Sequence, residues 1–286
     1  MTLFARKPRV IAEACCNHQG KIDLALEMIQ IAKLCGANYV KFQKRNPVKA
    51  VPEHMHSQPH PCPMHSFGET YLQHRENLEF TLEQHRVLKD KCDEINIGYS
   101  SSVWDEDSAR DIISLNPDFI KIPSAMNLNY SLLKQVYNDY DGDVHVSLGM
   151  ISKDERRELF SFLEPYRGRT IVYWTTSGYP VNFEELFLLE IVELKKIFPC
   201  VGYSGHHLGI AVDTAAFVLG ADWIERHFTL DRTAKGTDNA ASLEPSGLQR
   251  VCRDLKAISK SLQHKGLTIT RDEALNRSKL QVKTEK

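Results

Sequence analysis

The feature that most constrains this chain is a regular alternation of short apolar strands with amphipathic helices. The first unit predicts a strand at residues 9–15, a helix at 22–35 and a second strand at 38–43. Apolar side chains at helical spacing from Ile22 to Cys35 indicate the helix, and Gly36 follows as a stop signal. A β-α-β order of this kind is typical of a parallel sheet.

The alternation resumes at residue 82 and continues through the rest of the chain. It predicts strands at residues 97–101, 119–122, 144–147, 170–174, 200–204 and 222–225. Helices are predicted at 82–94, 105–114, 130–137, 153–163, 183–198 and 210–219, and a last one begins at Pro245. Eight strand–helix units predict an α/β fold of the (β/α)8 TIM-barrel type, as a single domain over residues 1–264. The rival doubly wound sheet usually carries a GxGxxG turn, which this sequence lacks.

A long segment after the second strand, residues 44–77, interrupts the alternation. It is rich in proline and holds five histidines: His54, His56, His60, His65 and His74. Histidine is a common metal ligand, but the spacing matches no standard zinc module. Because long loops in compact domains are usually functional, we expect this one to act as a lid over the active site. A structural role for its histidines is the favoured interpretation.

Polar residues follow the predicted strands at the end where barrel enzymes place their active sites. They are Glu13, Asn17, His18, Lys41, Gln43, Ser101, Ser102, Lys121, Ser124, Ser147, Thr175, Thr176, Ser177, Tyr179, Ser204, His206, Glu225 and His227. Two lysines and several hydroxyls directed at one point suit a ligand that carries a phosphate and a carboxylate. Buried lysines without anionic partners are costly, which favours a functional interpretation of the set.

Two histidine positions stand out among these strand ends. His206 and His207 follow one predicted strand, and His227 follows the next. Because neighbouring parallel strands end at the same side of a barrel, the imidazoles are expected to lie close together. Such a pair suits a divalent metal that keeps open positions for substrate.

Seven motifs occur along the chain in a recognisable order. They are IAEACCNHQG, YVKFQ, FIKIPSA, VSLGM, TTSGYP, VGYSGHH and IERHFTLDR followed by KGTDNAASLEP. Together they resemble the sialic acid synthase (N-acetylneuraminate synthase) family of phosphoenolpyruvate-condensing barrel enzymes. The resemblance covers roughly residues 10–260, and ERHFT with an upstream YSxH is its most specific part. More distantly, the motifs are similar to those of the 3-deoxyoctulosonate-phosphate synthases.

This resemblance implies an activity and assigns roles to residues. The implied reaction condenses phosphoenolpyruvate with an open-chain, N-acetylmannosamine-like aldose, giving a 3-deoxy-2-keto sugar acid and phosphate. The implied metal ligands are His206 and His227, with Mn²⁺ or Mg²⁺ as the ion. The implied phosphoenolpyruvate-binding residues are Lys41, Gln43, Ser102, Lys121, Ser124, Ser147, Ser177 and Ser204. The implied sugar-binding residues are Tyr179, Glu225 and Asp238, and Glu13 is expected near the reacting carbons, where it would position or deprotonate water.

The sequence departs from the family pattern at three places. Met126 stands where the family usually has a glutamate that contacts sugar hydroxyls, which leaves the acceptor sugar open. YSGHH replaces YSDH, so Gly205 lacks a carboxylate and His207 adds an imidazole. The family's C-terminal antifreeze-like domain would begin in residues 265–286, and we expect it to be absent. That domain sends an arginine into the partner's active site, so we expect this contact to be missing unless a separate polypeptide supplies it, with the histidine-rich loop as the alternative means of closing the site.

Three other functions remain compatible with the sequence. A pyruvate aldolase would use a Schiff-base lysine, and Lys121 lies between two isoleucines as such a residue would. A metal-dependent sugar isomerase would need several carboxylates at the strand ends, where only Glu13 and Glu225 qualify. A degenerate barrel would bind a sugar or a partner without turnover.

Composition excludes several other classes of partner. The formal net charge is −1, which gives no electrostatic case for binding nucleic acid or an anionic membrane. No apolar run approaches the ~20 residues that cross a bilayer, and the N-terminus lacks a signal-peptide core. The seven cysteines are scattered without a CxxC pair, as in reduced cytoplasmic proteins. We expect a cytoplasmic homo-oligomer such as a dimer.

Overall fold

Eight parallel strands close into a barrel in the computed structural model, which describes residues 6–282. The strands are β1 (Arg9–Glu13), β2 (Tyr39–Lys44), β3 (Gly98–Val103), β4 (Phe119–Ile122), β5 (Asp143–Ser147), β6 (Thr170–Trp174), β7 (Val201–Gly205) and β8 (Trp223–His227). Each strand pairs with the next along the chain, and β8 pairs with β1. The predicted TIM barrel is confirmed. The outermost parts of the predicted spans, residues 1–5 and 283–286, lie outside the described residues.

Helices connect the strands and cover the outside of the barrel. They are α1 (Ile22–Cys35), α2 (Pro47–Ala50), α3 (Tyr71–Glu76), α4 (Leu82–Glu94), α5 (Glu106–Ser114), α6 (Tyr130–Asp139), α7 (Lys153–Leu163), α8 (Glu190–Ile197), α9 (Ala211–Leu219), α10 (Pro245–Ser261) and α11 (Arg271–Leu280). Their apolar faces form the main core with the outward residues of the strands, such as Val40 and Val144. No helix within residues 6–282 has both the length and the apolarity to cross a membrane.

Side-chain alternation along the strands divides the barrel interior into layers. A small apolar cluster fills one end of the barrel and consists of Ile11, Phe119, Ile171, Tyr173 and Trp223. Two residues further along three of these strands lie Glu13, Lys121 and Glu225, which are buried polar residues. Because alternate residues of a strand point to the same face, the polar layer sits directly above the apolar one. The charged side chains therefore lie on a buried apolar layer.

Gly202 allows a large aromatic ring to lie inside the barrel. A β-carbon at Gly202 would approach the ring of Tyr173 to 2.4 Å, which no side chain could tolerate. The Tyr173 ring in turn lies beneath Lys121, with its centroid 3.1 Å from the Lys121 Nζ. A glycine on β7 therefore supports the position of a lysine on β4.

Two predicted elements differ from the structure. The predicted helix at 183–198 is interrupted, because a short 3-10 turn at Phe183–Glu185 precedes α8 and Phe187 takes a left-handed backbone with φ 45°. The predicted first strand at 9–15 ends at Glu13, and Cys15 follows with φ 48°. Hydrophobic spacing continued across both breaks and therefore did not reveal them.

The long segment after β2 is built from short helical turns. The ring of His74 lies 4.3 Å from that of His60, and its Nδ1 accepts a hydrogen bond from the Phe67 backbone at 3.0 Å. His65 Nδ1 accepts from the Gly236 backbone at 3.2 Å, which ties the loop to the segment after β8. Among residues 6–282, the histidines of this loop join no group of ligands close enough to hold a metal. These contacts agree with the structural role expected for them.

The last helix differs from the rest in its contacts. Every side chain of α11 is exposed, and Thr270 begins it with a capping box to Glu273. The division between a barrel at 1–264 and a tail at 265–286 stays a prediction.

Candidate active site

A cavity of about 340 Å³ lies at the carboxyl ends of the strands. Every residue to which the family resemblance gives a role lines it: Glu13, Lys41, Gln43, Ser102, Lys121, Ser124, Ser147, Ser177, Tyr179, Ser204, His206, Glu225, His227 and Asp238. Four other predicted strand-end residues do not line it: Asn17, His18, Ser101 and Thr176. The lining residues come from all eight strands or the loops that follow them. The barrel brings them together because parallel strands present all their carboxyl ends on one face.

Lys41 stands at the centre of a buried charge cluster. Its Nζ forms an ion pair with Glu13, lies 3.7 Å from Glu225 Oε1 and donates to Ser102 Oγ at 2.8 Å. Burial opposes the charged form of Lys41, but the carboxylates of Glu13 and Glu225 outweigh it and raise the pKa of Lys41. Burial also raises the pKa of Glu13, despite the opposing effect of Lys41. Lys41 is therefore a permanent cation at the bottom of the cavity.

Lys121 has a weaker set of partners than Lys41. Its Nζ lies 3.4 Å from Glu225 Oε2, and Ser204 Oγ donates to the other oxygen of that carboxylate at 3.2 Å. Burial lowers the pKa of Lys121 to about 8, an effect that Glu225 only partly offsets. Burial also opposes ionisation of Glu225, but Lys121 and Lys41 lower the pKa of Glu225 to about 2. Glu225 thus interacts with both lysines, whereas Glu13 pairs with Lys41, so Lys121 shares its only carboxylate partner and can accept a further anion.

The two predicted metal ligands lie side by side at another edge of the cavity. The ring centroids of His206 and His227 are 5.3 Å apart. His206 Nδ1 lies 2.8 Å from the Thr176 carbonyl oxygen, so Nδ1 donates and Nε2 is left as a lone-pair ligand. Burial and the neighbouring His227 lower the pKa of His206 to about 3, which keeps the ring neutral. His227 Nδ1 is buried without a hydrogen-bond partner, so this corner fits a divalent metal.

Several cavity residues were missed by the sequence analysis. They are Cys15, Arg45, Arg75, Trp104 and Met150. Arg45 could have been found, because Lys41, Gln43 and Arg45 continue the inward alternation of β2 past its end. Arg75 could not, because it comes from α3 within the loop that showed no periodicity. Cys15 gave no signal beyond its place two residues after Glu13 on a segment predicted to be strand.

The departures from the family pattern have structural explanations. Met126 packs against the hydrophobic core, while Pro123, Ser124 and Ala125 line the cavity. Met126 does not line the cavity, so no side chain at this residue replaces the family's glutamate, and the choice of acceptor sugar stays open. A β-carbon at Gly205 would meet the His207 ring at 2.8 Å, so glycine fits there.

His207 faces away from the cavity. It is fully buried, with Nε2 3.1 Å from Arg226 Nη1 and Nδ1 3.2 Å from the Tyr203 hydroxyl. Arg226 is in turn paired with Asp213 at 2.5 Å. The extra imidazole thus belongs to a structural network outside the barrel, which leaves His206 as the candidate metal ligand of the pair.

Comparison with known proteins agrees with the motifs. Residues 28–266 match the NeuB family. The N-acetylneuraminate-9-phosphate synthase of Homo sapiens is 37% identical over 255 residues, which are 88% of this chain and 70% of the human protein. The N,N'-diacetyllegionaminic acid synthase of Campylobacter jejuni is 34% identical over 262 residues, covering 90% of this chain and 78% of its relative.

A solved structure extends the agreement to the fold. The N-acetylneuraminic acid (sialic acid) synthetase of Leptospira borgpetersenii, crystallised with citrate, superposes with a TM-score of 0.80 at 29% sequence identity. The match covers 96% of this chain and 93% of that one. The resemblance inferred from the motifs is thereby confirmed: this chain belongs to the NeuB family of sugar acid synthases.

Proposed function

We propose that this enzyme condenses phosphoenolpyruvate with an open-chain N-acetylmannosamine-like aldose, giving a sialic-acid-type 3-deoxy-2-keto sugar acid and phosphate. The observation that carries the proposal is the pair of buried lysines, Lys41 and Lys121, on one side of a cavity with two histidines on the other. The two lysines suit a ligand that carries two anionic groups. The corner formed by His206 and His227, which we call the metal corner, suits a metal that polarises an aldehyde.

The phosphoenolpyruvate half of the site relies on charge and hydroxyl groups. Lys41 and Lys121 would bind the phosphate and the carboxylate. Hydroxyls from Ser102, Ser124, Ser147, Ser177 and Ser204, with the Gln43 amide, surround the same volume and would donate to the remaining oxygens. Holding the ligand at several points fixes the direction of its methylene carbon toward the acceptor.

The acceptor half would hold the sugar in its open form. His206 and His227 would bind a divalent metal, which the family resemblance gives as Mn²⁺ or Mg²⁺ and which when bound polarises a carbonyl oxygen. Tyr179, whose ring lies 4.4 Å from that of His206, and Asp238 would contact sugar hydroxyls. Glu225 would reach the acceptor from the lysine side.

Glu13 is the proposed acid–base residue. Carbon–carbon bond formation leaves C2 of the former phosphoenolpyruvate electron-poor, and a water molecule must attack there. Glu13 is 1% exposed, and its Oε1 accepts from the Gln43 amide at 3.2 Å, so the carboxylate is held in place. A buried carboxylate with a raised pKa can take a proton from that water. The tetrahedral product would then release phosphate by cleavage of its C–O bond.

An unpaired arginine favours an acceptor that carries a phosphate. Arg75 lines the cavity, and its guanidinium interacts with Tyr71, donating to the hydroxyl at 2.9 Å. In contrast to Arg45, which pairs with Glu79 at 2.5 Å, Arg75 forms no ion pair with any carboxylate in the described chain. With no direct ion pair, the guanidinium keeps N–H groups available to an anion in the cavity, and a sugar phosphate would supply one. The human relative's name, a 9-phosphate synthase, agrees with this choice.

The test is an assay of phosphate release. The protein is incubated with phosphoenolpyruvate, a divalent metal and a panel of aldoses that includes N-acetylmannosamine with and without a terminal phosphate. We expect release that depends on an aldose and is fastest with a phosphorylated N-acetylhexosamine. A complete lack of aldose-dependent phosphate would refute the proposal.

One rival within enzymes keeps a structural basis. The lowered pKa of Lys121 is what a Schiff-base aldolase also needs. Borohydride trapping with pyruvate separates the two, because a condensing synthase forms no covalent adduct at Lys121.

The cytoplasmic location and the homo-oligomer remain predictions, and the seven free cysteines agree with a reducing compartment.

A further inference from the structure

Cys15 is a cavity residue without a role in the reaction proposed above. Its Sγ lies 2.8 Å from Asp238 Oδ2 and accepts from the Gln43 amide nitrogen at 2.8 Å. Cys15 is 3% exposed, so the sulfur is withdrawn from bulk solvent but faces the cavity. The Cys15 sulfur is thus a potential metal ligand at the edge of the cavity where His227 lies.

His227 supplies an independent sign that something binds here. Its imidazole is 7% exposed, Nδ1 is buried without a partner, and no side chain within residues 6–282 hydrogen-bonds to the ring. A buried imidazole with free nitrogens is unfavourable unless a ligand satisfies it. One ring nitrogen of His227, the Cys15 sulfur and one Asp238 oxygen all lie within 4.8 Å of one another. That separation allows the three atoms to meet on a single ion.

The charge and the chemical softness of these three ligands indicate which metal ion would bind to them. A thiolate and a carboxylate together would carry two negative charges, which balance a divalent cation. Mg²⁺ and Mn²⁺ prefer oxygen ligands. A thiolate with an imidazole favours softer divalent ions such as Zn²⁺, Fe²⁺ and Co²⁺. His206 is outside this group of three, but its ring centroid lies 5.3 Å from that of His227, with Nδ1 hydrogen-bonded to the Thr176 carbonyl and Nε2 left free.

We propose that Cys15, His227 and Asp238 form a thiolate-containing metal site, with His206 beside it as a further ligand, that takes Zn²⁺, Fe²⁺ or Co²⁺ in preference to Mg²⁺ and Mn²⁺. The ion at this site would take the place of the Mn²⁺ or Mg²⁺ that the family resemblance implies, and Asp238 would then bind the metal and not a sugar hydroxyl. For its purpose in catalysis the inference rests on the proposed function. Its existence can be tested without turnover.

The experiment uses Co²⁺ as a spectroscopic probe of the full chain. A cobalt–thiolate bond gives a near-ultraviolet charge-transfer band that imidazole and carboxylate ligands do not give. The test variant is Cys15→Gly, because Cys15 has a left-handed φ of 48° that glycine adopts easily, so the variant is expected to fold. The matched control is Cys16→Ser, which removes the neighbouring thiol and leaves Cys15 in place. Competition against Co²⁺ then ranks Zn²⁺, Mn²⁺ and Mg²⁺.

We expect the band in the wild type and in Cys16→Ser, and its loss in Cys15→Gly. Cobalt affinity should fall in Cys15→Gly by more than the roughly 10- to 100-fold typical of losing a group that only supports a ligand. Zn²⁺ should displace Co²⁺ far better than Mg²⁺ does. A wild-type cobalt complex without the band, or a band that survives in Cys15→Gly, would overturn the proposal. If the band appears while no aldose releases phosphate, the metal site stands and the proposed reaction fails.

Discussion

Glu13 and Lys41 form a buried ion pair between the first two strands of the barrel, where they lie in direct register. The same Glu13 is in register with His227 on the opposite neighbour, β8. Glu13 therefore stands between the lysine side of the cavity and the metal corner. This position suits a group that transfers a proton where the two proposed substrates would meet.

Glu13→Gln should preserve the shape of the site and remove its acid–base group. We expect kcat to fall by about 10²- to 10⁴-fold, the usual contribution of general acid–base catalysis. Phosphoenolpyruvate binding, measured by calorimetry, should persist because Lys41 and Lys121 remain. A melting curve controls for folding, since breaking a buried ion pair also costs stability. A kcat within a few-fold of the wild type would remove Glu13 from the chemistry.

Lys121 should make phosphoenolpyruvate binding depend on pH. Its ammonium form attracts the anion, and with a pKa of about 8 it loses its charge as the pH rises through that value. KM for phosphoenolpyruvate should therefore increase above about pH 8. In Lys121→Arg the guanidinium stays charged, so this rise should disappear even if the variant is slower. A wild-type KM that is flat through this range would contradict the lowered pKa.

The barrel and most of its cavity could be predicted from the sequence. Alternation of strands and helices gave the fold, and the parallel topology then forces residues such as Lys41, Lys121 and His206 onto one face. In these cases the direction of the strands alone determines on which face a residue lies, so side-chain packing need not be known.

Other features depend on contacts between distant segments. Arg75 reaches the cavity from a loop without periodicity, and the left-handed backbone at Cys15 and Phe187 is invisible to hydrophobic spacing. The place of His207 in a network with Arg226 depends on which side of β7 it faces after the strand ends. A local pattern contains no information about these choices.

Arg75→Gln should change acceptor preference. Removing a charge-assisted contact of about 1.5–3 kcal/mol should raise KM for a phosphorylated aldose by roughly 10- to 100-fold. KM for phosphoenolpyruvate and for the unphosphorylated aldose should change little. Arg86→Gln, at an exposed position of α4, is the matched control. An equal increase in KM for both aldoses would mean that Arg75 does not bind the phosphate.

Metal removal should stop the reaction without unfolding the barrel. After treatment with a chelator, aldose-dependent phosphate release should vanish and return when a divalent transition metal is added. His227→Asn should lose metal and turnover together, as measured by elemental analysis and phosphate assay. Phosphoenolpyruvate binding should survive chelation, because the lysines carry it. Full activity in metal-free enzyme would contradict the proposal that His206 and His227 bind a catalytic metal.

Asp213 should matter for stability and not for chemistry. It pairs with Arg226 at 2.5 Å, and both side chains are buried outside the barrel. Asp213→Ala would leave Arg226 without its carboxylate, which should cost about 3–5 kcal/mol in the free energy of unfolding. Asp154→Ala, which breaks the exposed pair with Arg157, should have little effect. Urea denaturation of the two variants decides the point.

The most direct test of the proposed condensation follows the bridging oxygen of phosphoenolpyruvate. The enzyme is incubated with divalent metal, a phosphorylated N-acetylhexosamine and phosphoenolpyruvate that carries ¹⁸O between C2 and phosphorus. Cleavage of the C–O bond predicts that the released phosphate contains the label and that its release requires the sugar. Unlabelled phosphate, or release that is the same without any aldose, would contradict the account.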